Sequence, residues 1–361
     1  MGKRCRALEG LEVNESEAAP KVLVTGNHGY IGPLVGDLLN RAGFAVAGLD
    51  VDFFCSGSPS ADCKDIRDIL PGDLEGVEAV VHLAALSNDP MGELNPHWTD
   101  EINYLASVRL AQTAKQVGVR RFLFASSCSI YGNSGSEQWV NEDSPLAPLT
   151  GYAISKVKTE EALANLADVS FCPVILRNAT AYGFSPNLRV DLVLNNLTGW
   201  AFTTGKIMIL SDGTSWRPIV HVQDIALAFL TLLRAPAERV RGQAFNVGIN
   251  KENYQVKELA SVVQAATGCA IEYSPTGGPD LRSYRVDFTK LSCSVPEYQP
   301  RWDAEAGVLE LLRAFQENHL TLEDFQGRKY IRIKQLQYLL EHDLLDDDLR
   351  WKVKHKDLGN D

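Results

Sequence analysis

Residues 21–50, KVLVTGNHGYIGPLVGDLLNRAGFAVAGLD, decide the fold. KVLVTG is a short β-branched run ended by glycine, the pattern of a buried strand. YIGPLVGDLLNRAG (30–43) has helical spacing and a glycine stop. FAVAGLD (44–50) reads as a second strand closed by an acid. Gly26, Gly29 and Gly32 fall at the first strand–helix junction. The first allows a tight turn, the second lets a pyrophosphate approach bare backbone, and the third lets the helix pack close to the strand. The helix N-terminus favours the anion. Tyr30 and Ile31 complete this loop and are expected beside the cofactor. The spacing is GxxGxxG rather than the GxGxxG typical of dehydrogenases. Asp50 lies eighteen residues past Gly32, where a carboxylate can hold the adenosine ribose hydroxyls. Asp52 competes for that role. No Arg follows closely in LDVDFFCSGS, and carboxylates would repel a 2′-phosphate, so NAD is favoured over NADP.

The alternation continues. VEAVVHLAA (77–85), RRFLFASS (120–127) and SFCPVILRNAT (170–180) read as strands, separated by helices at 103–119 and 152–168. Strands alternating with helices imply a doubly wound parallel sheet, and continuously apolar strands imply burial on both faces. Past about residue 185 the order loosens into a smaller lobe, with a strong amphipathic helix at 222–235 and a strand at 243–248 returning to the sheet. The tail from about 305 reads as helical.

The formal charge of −11, with no long basic run, argues against nucleic acid as a partner. Seven cysteines without a CxxC pair argue against a disulfide framework or a zinc site and suit a reducing, cytoplasmic setting. No apolar run approaches the ~20 residues of a membrane span, and MGKRCRALEGLEVNESEAAP lacks a signal-peptide core.

YAISK places Tyr152 and Lys156 on one face of a helix, twenty-five residues after Ser127 at a strand end. A free phenol near pKa 10 is a poor base. A neighbouring ammonium and a positive nicotinamide stabilise the phenolate, and three pKa units correspond to about 4 kcal/mol. Together with TGNHGYIG, VVHLAA, FASSCSIYG, LRNATAYG and WRPIVHVQDIA, this set resembles the extended short-chain dehydrogenase/reductase family, specifically its nucleotide-sugar epimerases and dehydratases. The resemblance spans residues 21 to about 290.

It implies a Rossmann-type α/β fold: 21–185 the NAD-binding domain with 216–250 returning to it, and 186–215 and 251–304 a smaller α/β substrate-binding lobe; the sequence itself reads 1–20 as a flexible lead-in and 305–361 as a helical extension. It implies Ser127, Tyr152 and Lys156 as catalytic residues. Asp65, Ile66, Leu83, Ala84, Ala85, Asn103 and Ser126 join the glycine loop and Asp50 around NAD, with Ser126 mainly structural. Ser127, Ser129, Asn178, Arg217 and Arg282 would bind a nucleotide sugar, the arginines at its diphosphate, where a planar guanidinium fork binds bidentately. Dehydratases of this kind carry Asp-Glu after the catalytic hydroxyl, and 3,5-epimerases a Cys at the second position; this chain has Cys128-Ser129. Neighbours in an extended segment point to opposite sides, so Cys128 is expected to face away from the sugar and be inert. The activity expected is NAD-dependent epimerisation at C4 through a 4-keto sugar. A nucleotide-4-ketosugar reductase is the alternative, and a non-catalytic dinucleotide sensor a more distant one. Family members commonly form homodimers through helices that here are 103–117 and 152–167.

Overall fold

The computed structural model describes residues 19–352 apart from 56–58, 61–62, 88, 135–137 and 276–281; most of the expected lead-in and the last nine residues of the tail lie outside the described residues. Six strands form one sheet: β1 Lys21–Thr25, β2 Ala45–Leu49, β3 Val77–His82, β4 Arg121–Ser127, β5 Cys172–Asn178 and β6 Ala244–Val247. Their spatial order is β6-β5-β4-β3-β1-β2, and every pairing is parallel. β1 is flanked by β2 on one side and β3 on the other, so the winding reverses there, and a crevice opens beyond the strands' carboxyl ends.

Helices cover both faces. α1 (Gly32–Arg41) and α2 (Val222–Arg234) pack with one another on one side; Val35, Leu39, Ile225 and Phe229 are buried there with Val22, Val24 and Leu123. The other face buries Leu23, Val80, Phe122 and Phe124 with Leu110, Leu163 and Phe171. Each fully buried side chain of this size contributes roughly 1.5–3 kcal/mol, offset by ordering entropy. At the first junction Gly26 has φ +72°, and a Cβ there would sit 2.8 Å from the Ala84 amide nitrogen; a Cβ on Gly32 would sit 2.4 Å from the Gly26 carbonyl. Any side chain at either place would push the loop off β3 or the helix off the loop.

A second cluster joins the helices Val193–Thr204, Val256–Thr267 and Ala304–Glu317 to the paired strands Lys206–Ile209 and Ala270–Tyr273. Residues 216–250 divide differently from expectation. α2 and β6 return to the main sheet, but Trp216–His221 forms a separate three-stranded sheet between Thr180–Tyr182 and Asn253–Gln255. The helix expected over 103–119 opens as a π-helical turn over Asp100–Leu105 before the α-helix Ala106–Gln116. Among the described residues no helix is long and apolar enough to cross a membrane.

Candidate active site

A cavity of about 780 Å³ runs from the crevice into the second lobe. Gly26, Gly29, Tyr30, Ile31 and Gly32 line it from the loop after β1, Asp50 from the end of β2, and Leu83, Ala84 and Ala85 from the end of β3. Ser126, Ser127 and Ser129 line it at the end of β4, with Tyr152 and Lys156 from the facing helix Gly151–Leu166. Asn178, beside Ser127 on the neighbouring strand, lines it too, as do Arg217, Arg282, Asp65 and Ile66. One volume therefore joins the dinucleotide-type loop, the Ser/Tyr/Lys set and the two arginines.

The Asp50 carboxylate accepts the His28 amide at 2.9 Å and the Asp52 amide at 3.0 Å, which fixes its rotamer while it faces the cavity. Burial raises its pKa. Asp52 turns away: it is buried, at φ +61°, and accepts from His28 Nδ1 at 2.7 Å and the Ser60 amide at 2.8 Å. Asp50, not Asp52, is thus available to sugar hydroxyls. Asp65 caps the turn Ile66–Asp68 and holds Arg67 through its carboxylate. The Tyr30 phenol is spent on the Gly183 carbonyl at 2.6 Å, so only its body serves the cavity wall.

Lys156 is buried, donates to the Ala125 carbonyl at 2.8 Å, and lies 4.6 Å above the Phe124 ring and 5.5 Å from the Tyr152 ring centre. Burial pulls its pKa down to about 7, with Glu160 opposing. Its ammonium is poised beside the phenol whose anion it would stabilise. His82 beneath it is held between Thr25 and Ser107, and burial, aided by Lys156, pushes it to about 3, so it stays neutral.

Ser127 caps the turn Cys128–Tyr131, accepting the Ser129 amide at 3.1 Å. Ser126 donates to Glu160, which is also bound by Arg177 at 2.7 Å. Arg177 in turn reaches the Tyr131 hydroxyl at 3.0 Å, and that hydroxyl donates to Asn246 at 2.8 Å. This buried network fixes the β4 end from behind. Cys128 is buried on the opposite side, donating to the Arg177 carbonyl at 3.2 Å, and burial pushes its thiol well up. Ser129 Oγ and Asn178 Oδ1 are buried without a hydrogen-bond partner, two polar atoms that a polar ligand in the cavity can satisfy. Arg217 is buried and donates to the Trp216 carbonyl at 2.7 Å and to the Arg282 carbonyl.

Asn103 departs from expectation. It does not line the cavity; its amide accepts from the Leu86 N–H at 2.8 Å and donates to the Leu86 carbonyl at 3.1 Å, clamping the loop after β3. It shapes the wall without reaching a ligand.

The NAD dependent epimerase/dehydratase family model matches residues 22–248. The chain belongs to that family. A UDP-glucose 4-epimerase of Mycolicibacterium smegmatis is 30% identical over 315 residues, covering 82% of this chain and 98% of the relative. The structure of MoeE5 in complex with UDP-glucose and NAD superposes with a TM-score of 0.71 at 27% identity, covering 83% of this chain and 99% of that one. The UDP-glucose 4-epimerase of Thermus thermophilus in complex with NAD gives 0.70 at 25% identity, covering 82% and 99%. The residues here fit NAD: two glycines at which a side chain would collide, a cavity-facing carboxylate, and buried guanidiniums for an anion.

Two of those guanidiniums escaped the sequence reading. Arg189 is buried in the cavity wall, paired with Asp191 at 2.8 Å and donating to Ser87 Oγ at 3.2 Å. Arg332 comes from the C-terminal extension. A charge flanked by apolar residues, as in SPNLRVDL, was the available signal for the first; nothing local marked the second.

Proposed function

We propose that this epimerase-family chain inverts C4 of a UDP-sugar with NAD as its resident oxidant. The carrying observation is that Ser127, Tyr152 and Lys156 line the same cavity as the glycine loop, Asp50 and the arginines Arg217 and Arg282. Bound NAD would accept a hydride from C4 and give it back. Tyr152 takes the proton of the C4 hydroxyl and returns it to the reduced oxygen. Lys156 holds the phenolate down in energy, and Ser127 donates to the keto oxygen. Ser129 and Asn178 orient polar groups of the sugar, and Arg217 and Arg282 bind the diphosphate. The low-dielectric lining strengthens each of these charges. Cys128-Ser129 supplies neither the carboxyl pair of an elimination nor a thiol facing the sugar. None of the six described cysteines is in a disulfide, in keeping with a cytoplasmic setting. Leu105 and Ile154 expose apolar side chains on the helices expected to form a homodimer.

The test is incubation with UDP-glucose, UDP-galactose, UDP-glucuronate and their N-acetylhexosamine counterparts, following C4 configuration by NMR and reduced cofactor by absorbance. Epimer without net change at the reduced-cofactor band supports the reading. Stoichiometric consumption of reduced cofactor with a keto sugar, and no epimer, replaces it with the reductase.

A further inference from the structure

The matched family residues end at 248, yet three residues far beyond that point, Ile331, Arg332 and Ile333, line the same cavity as Asp50. They open the helix Arg332–Glu341, and the chain then runs on past Trp351. This segment is tied to the wall around Asp50 at several independent points. Gln335 donates to the Phe53 carbonyl at 3.2 Å, and Trp351 to the Val51 carbonyl at 2.7 Å. Arg67, itself fixed by Asp65, donates to the Asp348 carbonyl at 2.6 Å and the Leu349 carbonyl at 3.1 Å. Leu336, Leu339, Leu345 and Leu349 are buried in the cluster that holds Phe53 and Ile66. The segment thus grips both lips of the crevice at its Asp50 end, the strand-β2 lip and the Asp65 lip.

Arg332 is the part that faces inward. It is 4% exposed, donates to the Phe54 carbonyl and the Asn187 carbonyl, each at 3.2 Å, and lies 4.6 Å from the Phe54 ring centre. Among the described residues no carboxylate stands within ion-pair distance of it. Burial, reinforced by the Arg189 charge and opposed by the carboxylates of Asp191 and Asp50, lowers its pKa to about 10. A buried cation held by two carbonyls, with N–H groups to spare and a neighbouring guanidinium, is built for an anion. Asn187 also donates to the His28 carbonyl at 2.5 Å, so Arg332 is coupled through it to the glycine loop.

We propose that residues 331–352 form a clasp over the adenosine end of the cavity, and that its Arg332 binds the dinucleotide's phosphates and keeps the cofactor from leaving between turnovers. The inference rests on the NAD-dependent reading, and it concerns retention, not chemistry. Asp50 lines the same end of the cavity, and its carboxylate would repel a 2′-phosphate there.

The experiment uses the full chain loaded with NAD and no sugar. Exchange of bound NAD for isotopically labelled NAD is followed by rapid filtration and mass analysis. Arg332→Gln should speed exchange at least tenfold, with an unchanged far-UV spectrum and an unchanged melting temperature of the cofactor-free protein. Trp351→Phe, which loosens the clasp outside the cavity, should speed it several-fold. Exchange at the wild-type rate in both variants overturns the clasp, and so does faster exchange only under conditions where the cofactor-free variant has begun to melt. Failure to find an epimerised sugar leaves this result untouched, so the two readings fail separately.

Discussion

The two ends of the cavity are built in opposite ways. The catalytic end is made from the tips of adjacent strands and one helix, braced by a buried polar network behind β4. The Asp50 end is covered by a segment whose contacts with residues 51–54 and with Arg67 span 278 to 300 residues of sequence. The first arrangement sets its side chains on adjacent rigid elements, as proton transfer requires. The second adds a wall from a part of the chain remote in sequence. The contrast teaches that one cavity can draw its chemical and its ligand-holding walls from separate parts of the chain.

The largest expected effect tests the catalytic end directly. Tyr152→Phe removes the transferable proton and should cut kcat by 10²- to 10⁴-fold, while NAD content and exchange stay at the wild-type level. Arg332→Gln should show the converse, with fast exchange and chemistry that recovers in saturating NAD. If either variant moved both quantities alike, the separation of the two ends would collapse.

The bracing network is the next largest. Glu160 and Arg177 are both buried and paired at 2.7 Å. Glu160→Gln leaves the guanidinium's charge uncompensated, a change that costs about 3 kcal/mol. Urea unfolding would show it as a lower midpoint with an unchanged slope. Pairing it with Arg177→Met should restore much of the loss, because the second change removes the stranded charge. A Glu160→Gln loss below about 0.5 kcal/mol would mean that the network does not brace the β4 end.

Legibility followed sequence distance. That the glycine loop, Asp50 and the Tyr152/Lys156 pair share one cavity is legible because each depends on local geometry: a turn, a strand end, an i,i+4 face. The place of Ser127 on its wall follows from the strand tip. The main sheet followed from alternation alone. Glu160 and Arg177, seventeen residues apart, announce themselves only as charges in elements that turn out to be buried; Arg177 follows four apolar or small residues in PVILRN, where a charge must find a partner. Asn103 supports the cavity through the Leu86 backbone rather than lining it, because family position says which loop a side chain serves, not which way it faces. Arg332 had no local signature, since its role exists only once the chain's far end has folded onto β2.

The smallest effect sharpens the contrast within a single dipeptide. Ser127 and Cys128 are adjacent; the last residue of β4 faces the cavity, and the turn that follows sends the thiol into the core. The thiol lies against the Arg177 carbonyl at 3.2 Å, and burial pushes its pKa well above the ordinary thiol value, which disfavours the reactive thiolate. Cys128→Ala should therefore leave kcat and KM within twofold of wild type and cost about 1 kcal/mol of stability, the scale of a small buried group. Iodoacetamide should fail to label it in the native protein and label it fully after denaturation. A tenfold drop in kcat with unchanged stability would place the thiol in the chemistry. It would also mean that the catalytic end reaches through the strand rather than stopping at its cavity face.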